Sequence, residues 1–245
     1  MPERQTLFIS DLHLAESQPE TTRAFLRFAH DVAPRAEMLY VLGDLFEYWI
    51  GDDTLAEPFH ASIVNAFANI ARNGTALYFM HGNRDFLLGK VFCDACHGQL
   101  LPDPTLIDLY GTPTLLMHGD TLCTDDADYM RFRALVRDPT WQAEFLAKPL
   151  AERRAIVLGM RSQSEETKRQ KPMEIMDVAL PTVEASLREH GYPRLIHGHT
   201  HRPAKHLHSV DGKTCVRWVL TDWYGDRGGY LAVTPDGCSA LPNRQ

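Results

Sequence analysis

The fold is decided by the stretch Arg194-Leu195-Ile196-His197-Gly198-His199-Thr200-His201-Arg202-Pro203, in which an apolar run leads into three alternating histidines. In an extended chain, period-2 alternation places His197, His199 and His201 on one side. The glycine after the first histidine indicates, however, that the strand has already turned. Neutral imidazole is the commonest metal ligand in proteins. Because most single histidines are structural, a metal site is predicted only if similar residues end other strands.

Four other apolar runs do end in such polar residues. An Asp in an apolar run is costly unless it is paired or binds a cation, although an Asp can also simply cap the next helix. Several consecutive endings of this kind predict a site at the carboxyl ends of parallel strands. The four endings are Asp11-Leu12-His13, Gly43-Asp44, His81-Gly82-Asn83-Arg84-Asp85 and His118-Gly119-Asp120.

The pattern between these endings alternates strands and helices, which predicts an α/β fold. We predict helices over 19–31, 57–72, 86–97 and 173–190, the last with a kink at Pro181. A hairpin is predicted over 105–117, with its turn at Gly111. The tail alternates like antiparallel strands over 205–210, 214–220, 230–234 and 238–241.

Composition narrows the class of protein. With 44% hydrophobic and 23% charged residues, the 245-residue chain is expected to form a single globular domain over 1–245. The net charge of −7 argues against nucleic acid as a partner. Neither a signal peptide nor a run of about 18 apolar residues is found. Five dispersed cysteines favour a reducing cytoplasm, and Cys93-Asp94-Ala95-Cys96 leaves a redox or zinc role open beside ordinary thiols.

Residues 123–171 differ from the rest and predict a helical insertion. Tyr129, Phe132 and Val136 are spaced for one helical face, and further apolar pairs predict two more helices. Residues 129–171 hold ten Lys or Arg and five Asp or Glu, a net charge of +5, whereas the remainder of the chain carries −12. The insertion is therefore expected to serve a different purpose from the core.

The candidate metal ligands offer oxygen and imidazole nitrogen but no thiolate. This donor set suits Mn²⁺ or Fe²⁺ before a structural Zn²⁺. Seven ligands are too many for one tetrahedral ion, whereas two ions roughly 3.5–4 Å apart could share one carboxylate and activate a water. Hydrolysis of a phosphate ester or phosphoanhydride is the reaction this predicts. The seven are Asp11, His13, Asp44, Asn83, His118, His199 and His201.

In this order, the five strand endings resemble the five sequence blocks of the calcineurin-like metallophosphoesterases. The resemblance spans residues 11–201 and implies a four-layer α-β-β-α sandwich. It also implies that Asp44 bridges two ions. One ion would be held by Asp11, His13, Asp44 and His201, and the other by Asp44, Asn83, His118 and His199.

At one position the sequence departs from the superfamily pattern, and this departure indicates a narrower family. The superfamily places His after the Asn of the third block, whereas this chain has Arg84, which stays charged and forks onto phosphate oxygens rather than moving a proton. With Asp126, Ser164, Lys171 and Asp222-Trp223, this variant resembles the UDP-2,3-diacylglucosamine diphosphatases of lipid A biosynthesis. That family implies hydrolysis of a lipid-linked nucleotide sugar to UMP and 2,3-diacylglucosamine 1-phosphate, with two Mn²⁺ ions, on the cytoplasmic face of the inner membrane.

The same resemblance assigns site residues and a role for the insertion. Arg84 and His199 would be catalytic, while Asp120 and Asp222 would orient ligands. Substrate contacts are implied for Asn83, Arg84, Asp126, Ser164, Lys171 and His199, and less firmly for Lys168, where the family commonly has Asn. The basic, apolar insertion would cap two acyl chains and contact an anionic membrane surface. We expect a monomer that is peripheral to the membrane.

Two other functions stay open at this point. One is a calcineurin-like hydrolase that acts on soluble nucleotides or phosphoproteins, which would turn over an acyl-free UDP-sugar as fast as the diacylated one. The other is a non-catalytic binding module on the same fold, which would have lost some of the ligands, and none of the seven is missing.

Overall fold

The computed structural model describes residues 4–170 and 177–243, with side chains described except over 161–170. Within this part of the chain, eleven strands and seven helices follow one another. The strands are β1 (Thr6–Ile9), β2 (Met38–Leu42), β3 (Ala76–Met80), β4 (Gly98–Leu101), β5 (Thr105–Leu109), β6 (Thr112–Leu116), β7 (Arg194–His197), β8 (Ala204–Val210), β9 (Lys213–Val219), β10 (Gly229–Thr234) and β11 (Gly237–Pro242). The helices are α1 (Pro19–Asp31), α2 (Pro58–Arg72), α3 (Lys90–Cys96), α4 (Ala127–Val136), α5 (Pro139–Leu146), α6 (Leu150–Gln170) and α7 (Leu180–Glu189).

The strands form two sheets with parallel centres. The six-stranded sheet has the order β11-β10-β1-β2-β3-β4, and β1 to β4 run parallel. The five-stranded sheet has the order β5-β6-β7-β9-β8, with β6, β7 and β9 parallel. Parallel strands end at the same edge of a sheet, so the polar residues that follow β1, β2 and β3 are brought side by side.

Three apolar cores separate four layers. Helices α1, α2 and α3 pack on the outer face of the larger sheet around Phe25, Phe67 and Phe92. The inner faces of the two sheets meet in a second core, in which Tyr40 stacks between Phe8 (5.0 Å between ring centroids) and Tyr78 (4.6 Å). A third core lies between the smaller sheet and α7. The predicted four-layer α-β-β-α sandwich is confirmed.

Helices α4, α5 and α6 come from the segment predicted as an insertion. Trp141 stacks on the buried Phe145 of α5, with centroids 5.1 Å apart. Arg153 of α6 is only 3% exposed, and its guanidinium donates hydrogen bonds to Ile50 O and the Asp53 carboxylate. The base of α6 is therefore fixed to the core. The role of residues 123–171 as a cap stays a prediction.

One predicted helix needs correction, and one strand was not predicted. The helix predicted over 173–190 begins at Leu180, and Pro181 lies in its first turn, where a missing N–H leaves no hydrogen bond unmade, so it does not kink the helix. Strand β4 is not predicted from the sequence because it is an exposed, non-alternating edge strand. Gly98 lets it pair with β3, since a Cβ there would lie 2.5 Å from the Phe79 ring. None of the described helices has the length and apolarity needed to cross a membrane.

Candidate metal centre and active site

The seven predicted ligands lie in the loops that follow β1, β2, β3, β6 and β7. Backbone hydrogen bonds join these loops: Asp11 N donates to Gly43 O (3.1 Å) and His13 N donates to Asp44 O (3.0 Å). Gly198 N likewise donates to His118 O (2.9 Å). Residues from distant parts of the sequence are therefore held in one rigid constellation at the sheet edge.

Many of the predicted ligands have strained backbones. Nine described non-glycine residues have positive φ, and five of them are predicted ligands. Such left-handed conformations each cost on the order of 1–3 kcal/mol and cluster at functional sites. The five are Asp11 (φ 54°), His13 (φ 48°), Asp44 (φ 52°), His199 (φ 68°) and His201 (φ 54°). The left-handed turns aim all of these side chains away from the strand directions that simple alternation predicts.

The first set of ligands surrounds Asp11. Its Oδ1 lies 3.4 Å from His201 Nε2, and the Nε2 atoms of His13 and His201 lie 3.3 Å apart. One ligand atom of each of these three residues falls within 4.8 Å of the others. Asp11 Oδ1 is fully buried and makes no hydrogen bond among the described residues. A buried carboxylate oxygen without a hydrogen bond fits a cation site.

The second set of ligands surrounds Asn83. Its Oδ1 lies 3.1 Å from His118 Nε2 and 2.9 Å from His199 Nδ1. Asp44 approaches both sets, because Oδ1 lies 3.8 Å from His118 Nε2 and Oδ2 lies 3.8 Å from His13 Nε2. His118 Nδ1 is 2.9 Å from Leu42 O, and this carbonyl fixes the ring so that Nε2 faces the site.

The charge balance of the cluster also fits divalent cations. Burial and the neighbouring Asp85 and Asp11 carboxylates raise the pKa of Asp44. Burial opposes a charge on His118, yet the Asp44 and Asp11 carboxylates raise its pKa to about 9. Without metal, protons on imidazoles therefore balance the buried carboxylates. Cations held by oxygen and nitrogen ligands can replace those protons.

Several residues that support the site were not singled out from the sequence. The Asp85 carboxylate accepts backbone N–H groups from Gly82 (2.8 Å), Asp44 (3.2 Å), Leu45 (2.7 Å) and Phe46 (3.4 Å). Glu47 lies between His13 Nδ1 (3.1 Å) and Arg84 Nη1 (3.8 Å). Asp85 is the last residue of the third strand ending quoted above, and Glu47 follows Asp44 by three residues. Their position near the predicted ligands was the only signal in the sequence. The groups that they bind could not be predicted, because those contacts depend on the tertiary fold.

His197 does not join His199 and His201. It is fully buried, with Nδ1 2.9 Å from Gly198 O and Nε2 3.0 Å from Arg217 Nη1. Burial and the Arg217 charge lower the pKa of His197 to about 3, so the ring is neutral. Its separation follows from the turn at Gly198. Cys93 and Cys96 are buried free thiols, and burial raises the pKa of Cys93 to about 12.

The predicted substrate contacts have different positions. Arg84 borders the cleft together with Asn83 and His199. Asp126 caps α4, because its Oδ1 accepts the Tyr129 N–H at 3.0 Å, and its contact with substrate stays a prediction. Ser164 and Lys168 lie in the part of α6 whose side chains are not described, and Lys171 lies outside the described residues.

The two acids predicted to orient ligands have different partners. Asp222 Oδ2 lies 3.4 Å from His201 Nδ1, beside the first set of ligands. Asp120 is fully buried and accepts hydrogen bonds from Tyr129 Oη (2.6 Å) and Arg133 Nε (2.7 Å) of α4. The neighbouring His118 and His199 and the Arg133 charge outweigh burial and keep the pKa of Asp120 low.

Helix α4 also reaches the second set of ligands directly. The ring of Tyr129 lies 5.9 Å from that of His199, and Arg137 Nη2 donates a 2.8 Å hydrogen bond to Gly82 O, next to Asn83. The insertion therefore adjoins the second set, whereas Asp222 adjoins the first.

Comparison with known proteins identifies the family of the chain. Residues 5–203 match the calcineurin-like phosphoesterase family. A protein of Aromatoleum aromaticum named UDP-2,3-diacylglucosamine hydrolase is 56% identical, with 90% of this chain and 89% of that protein covered. Proteins of the same name from Pseudomonas paraeruginosa (52% identity, 96% and 98% covered) and Edwardsiella ictaluri (50%, 95% and 89%) are also similar. The chain belongs to the calcineurin-like phosphoesterase family and, within it, to the family of these UDP-2,3-diacylglucosamine hydrolases.

Proposed function

We propose that the protein hydrolyses the pyrophosphate bond of UDP-2,3-diacylglucosamine and releases UMP and 2,3-diacylglucosamine 1-phosphate for lipid A biosynthesis. The observation that carries this proposal is the convergence of seven oxygen and nitrogen ligands in two sets that share Asp44. The names of relatives at 50–56% identity supply the substrate.

The ligand sets suggest where two metal ions bind. Asp11, His13, Asp44 and His201 would hold one, and Asp44, Asn83, His118 and His199 the other. The hard and borderline donors favour Mn²⁺. When bound, two such ions lower the pKa of a water molecule and neutralise charge on phosphate oxygens.

Arg84 and His199 are the protein side chains that would contact the reacting phosphate. The Arg84 guanidinium is held near Glu47, borders the cleft and can donate a fork of hydrogen bonds to phosphate oxygens. It remains charged throughout, so it stabilises negative charge and moves no proton. His199 and Asn83 face the same cleft and would fix the phosphate from the side of the insertion.

The insertion would serve the lipid part of the substrate. Its helices expose large apolar side chains, namely Phe132 (37%), Leu135 (54%), Leu146 (41%) and Leu158 (47%). These would cover acyl chains, and the net charge of +5 over residues 129–171 would hold the protein on anionic headgroups at the inner face of the inner membrane. Equal binding to anionic and neutral vesicles would contradict the proposed electrostatic attraction to the headgroups.

Mass spectrometry of the reaction products tests the proposed function. With UDP-2,3-diacylglucosamine and added Mn²⁺, the wild type should release UMP and 2,3-diacylglucosamine 1-phosphate, and Asp44→Ala should release neither. The control is Leu207→Ala, because Leu207 is 68% exposed on β8 and does not line the cleft. Equal turnover of an acyl-free UDP-sugar would instead favour a hydrolase of soluble nucleotides.

A further inference from the structure

None of the described residues of the insertion lines the cleft at the metal centre. Successive contacts cross the centre from Arg84 through Glu47, His13 and His201 to Asp222. Beyond Asp222, the cleft is lined by Trp223, Tyr224 and Gln18. On the other side, Tyr129 of α4 lies beside His199, and Arg137, which follows α4, contacts Gly82. A substrate with two dissimilar ends therefore has one surface available for each.

The turn that carries Tyr224 is rigid although the ring is exposed. Trp223 N donates to Asp11 O (3.0 Å), and Gly225 N donates to Thr21 Oγ1 (3.0 Å). Trp223 is 2% exposed and packs against Phe28, whereas the adjacent Tyr224 is 75% exposed. The fold therefore presents a large aromatic face to solvent on a fixed backbone, directly beside the first set of ligands.

Two polar groups beside this ring have unused hydrogen-bonding capacity. Gln18 precedes α1 without capping it, and its Oε1 makes a long 3.4 Å hydrogen bond with Thr21 Oγ1, which leaves the amide N–H groups free for a ligand. The indole Nε1 of Trp223 is buried and has no hydrogen-bond partner among the described residues. A buried donor of this kind calls for an acceptor that the described residues do not supply.

The size of the cleft and the charge of the residues that line it indicate which part of the substrate fits beside Tyr224. The cavity volume of about 210 Å³ lies below the roughly 300–1,000 Å³ typical of drug-sized ligands, so the ends of a long substrate must rest on the surfaces beside it. Arg84 is the only Lys or Arg among the described residues that line the cleft, and it lies at the opposite end. An uncharged planar group with carbonyl acceptors suits Tyr224 and Gln18 better than a phosphate does.

Resting on the proposed function, we propose that Gln18 and the turn around Tyr224 form the nucleobase subsite. The Tyr224 ring stacks on the uracil, and the Gln18 amide donates a hydrogen bond to a uracil carbonyl. The diphosphate then spans the metal centre, and the diacylglucosamine extends toward α4.

Calorimetric titration of the Mn²⁺-loaded protein with UMP and with inorganic phosphate tests the subsite. Loss of a base–aromatic stack in Tyr224→Ala should weaken UMP about tenfold or more, while the affinity for phosphate is unchanged. Tyr224→Trp should retain UMP binding, and Gln18→Ala should weaken it about two- to tenfold. Leu207→Ala is the surface control, because Leu207 is 68% exposed on β8 and does not line the cleft.

Steady-state kinetics provide the second measurement. Tyr224→Ala should raise KM for UDP-2,3-diacylglucosamine with little change in kcat, because the uracil contact is the same in substrate and transition state. Unchanged UMP affinity in Tyr224→Ala and Gln18→Ala, or equal losses for UMP and phosphate, would overturn the subsite even if the wild type releases UMP. If the wild type releases no UMP but binds it through Tyr224, the proposed function fails and the subsite stands.

Discussion

Substitution of Gly198 by Ala should remove the metal centre without removing the fold. A Cβ at this position would lie 2.2 Å from Asp11 Oδ2 and 2.3 Å from Ser10 Oγ. Real Cβ atoms do not approach closer than about 3.0 Å, so the Asp11 oxygen must retreat from 2.2 Å by about 0.8 Å. Because Asp11 Oδ2 also accepts hydrogen bonds from Ser10 Oγ (2.6 Å) and His199 N (2.9 Å), this shift disturbs both loops.

The expected magnitude follows from that displacement. Metal sites tolerate deviations of about 0.2 Å in ligand distance, so a shift of 0.8 Å removes Asp11 from the first set of ligands. A misplacement of about 1 Å can lower a rate on the order of 100-fold. Overpacking should lower the free energy of unfolding by only about 1–3 kcal/mol, so the variant should remain folded.

Three measurements on purified Gly198→Ala check this prediction. Calorimetry should show weaker Mn²⁺ binding, product analysis should show at least a 100-fold loss of UMP release, and circular dichroism should show native secondary structure. Leu207→Ala supplies the control, since Leu207 is 68% exposed on β8 and does not line the cleft. Wild-type metal affinity and activity in Gly198→Ala would refute the steric reasoning about Asp11.

Three further predictions concern two buried hydrogen-bond networks and the release of protons on metal binding. Asp85→Asn should lower the free energy of unfolding by about 1–3 kcal/mol in chemical denaturation, because an amide cannot accept the four backbone N–H groups that the carboxylate accepts; an unchanged midpoint would contradict this. Arg153→Met should increase hydrogen exchange in α5 and α6, because it leaves Ile50 O without its buried donor. Mn²⁺ binding at pH 7 should release protons and weaken as the pH falls, because the pKa of His118 is raised to about 9 and a ligand must be neutral. A binding enthalpy that is the same in buffers of different ionisation enthalpy would exclude such release.

The strand endings made much of the site predictable. Apolar runs that stop at Asp11 and Asp44 belong to parallel neighbours in one sheet, and the run that stops at His118 has a parallel neighbour in the other sheet, so within each sheet these strands end at a common edge. Left-handed backbones occur at Asp11 and Asp44 but not at His118. Sequence alternation alone places His197 wrongly on the side of His199. Only the family resemblance distributed the ligands between two ions.

Residues whose role depends on distant partners could not be found in this way. Asp85 is recognisable only once the backbone of residues 44–46 lies against it, and Arg137 only once α4 lies beside Gly82. Likewise, nothing in the sequence separates the exposed Tyr224 from the buried Trp223 next to it. Burial, and the contacts made across the fold, decide these roles.

The left-handed backbones at Asp11, His13, Asp44, His199 and His201 have a consequence for engineering. Glycine adopts this conformation without penalty, so a search for thermostable variants that ignores activity would favour Gly at these positions. The most stable variants obtained in that way would have lost metal ligands and would be inactive. Selection for heat resistance in this fold should therefore be coupled to turnover.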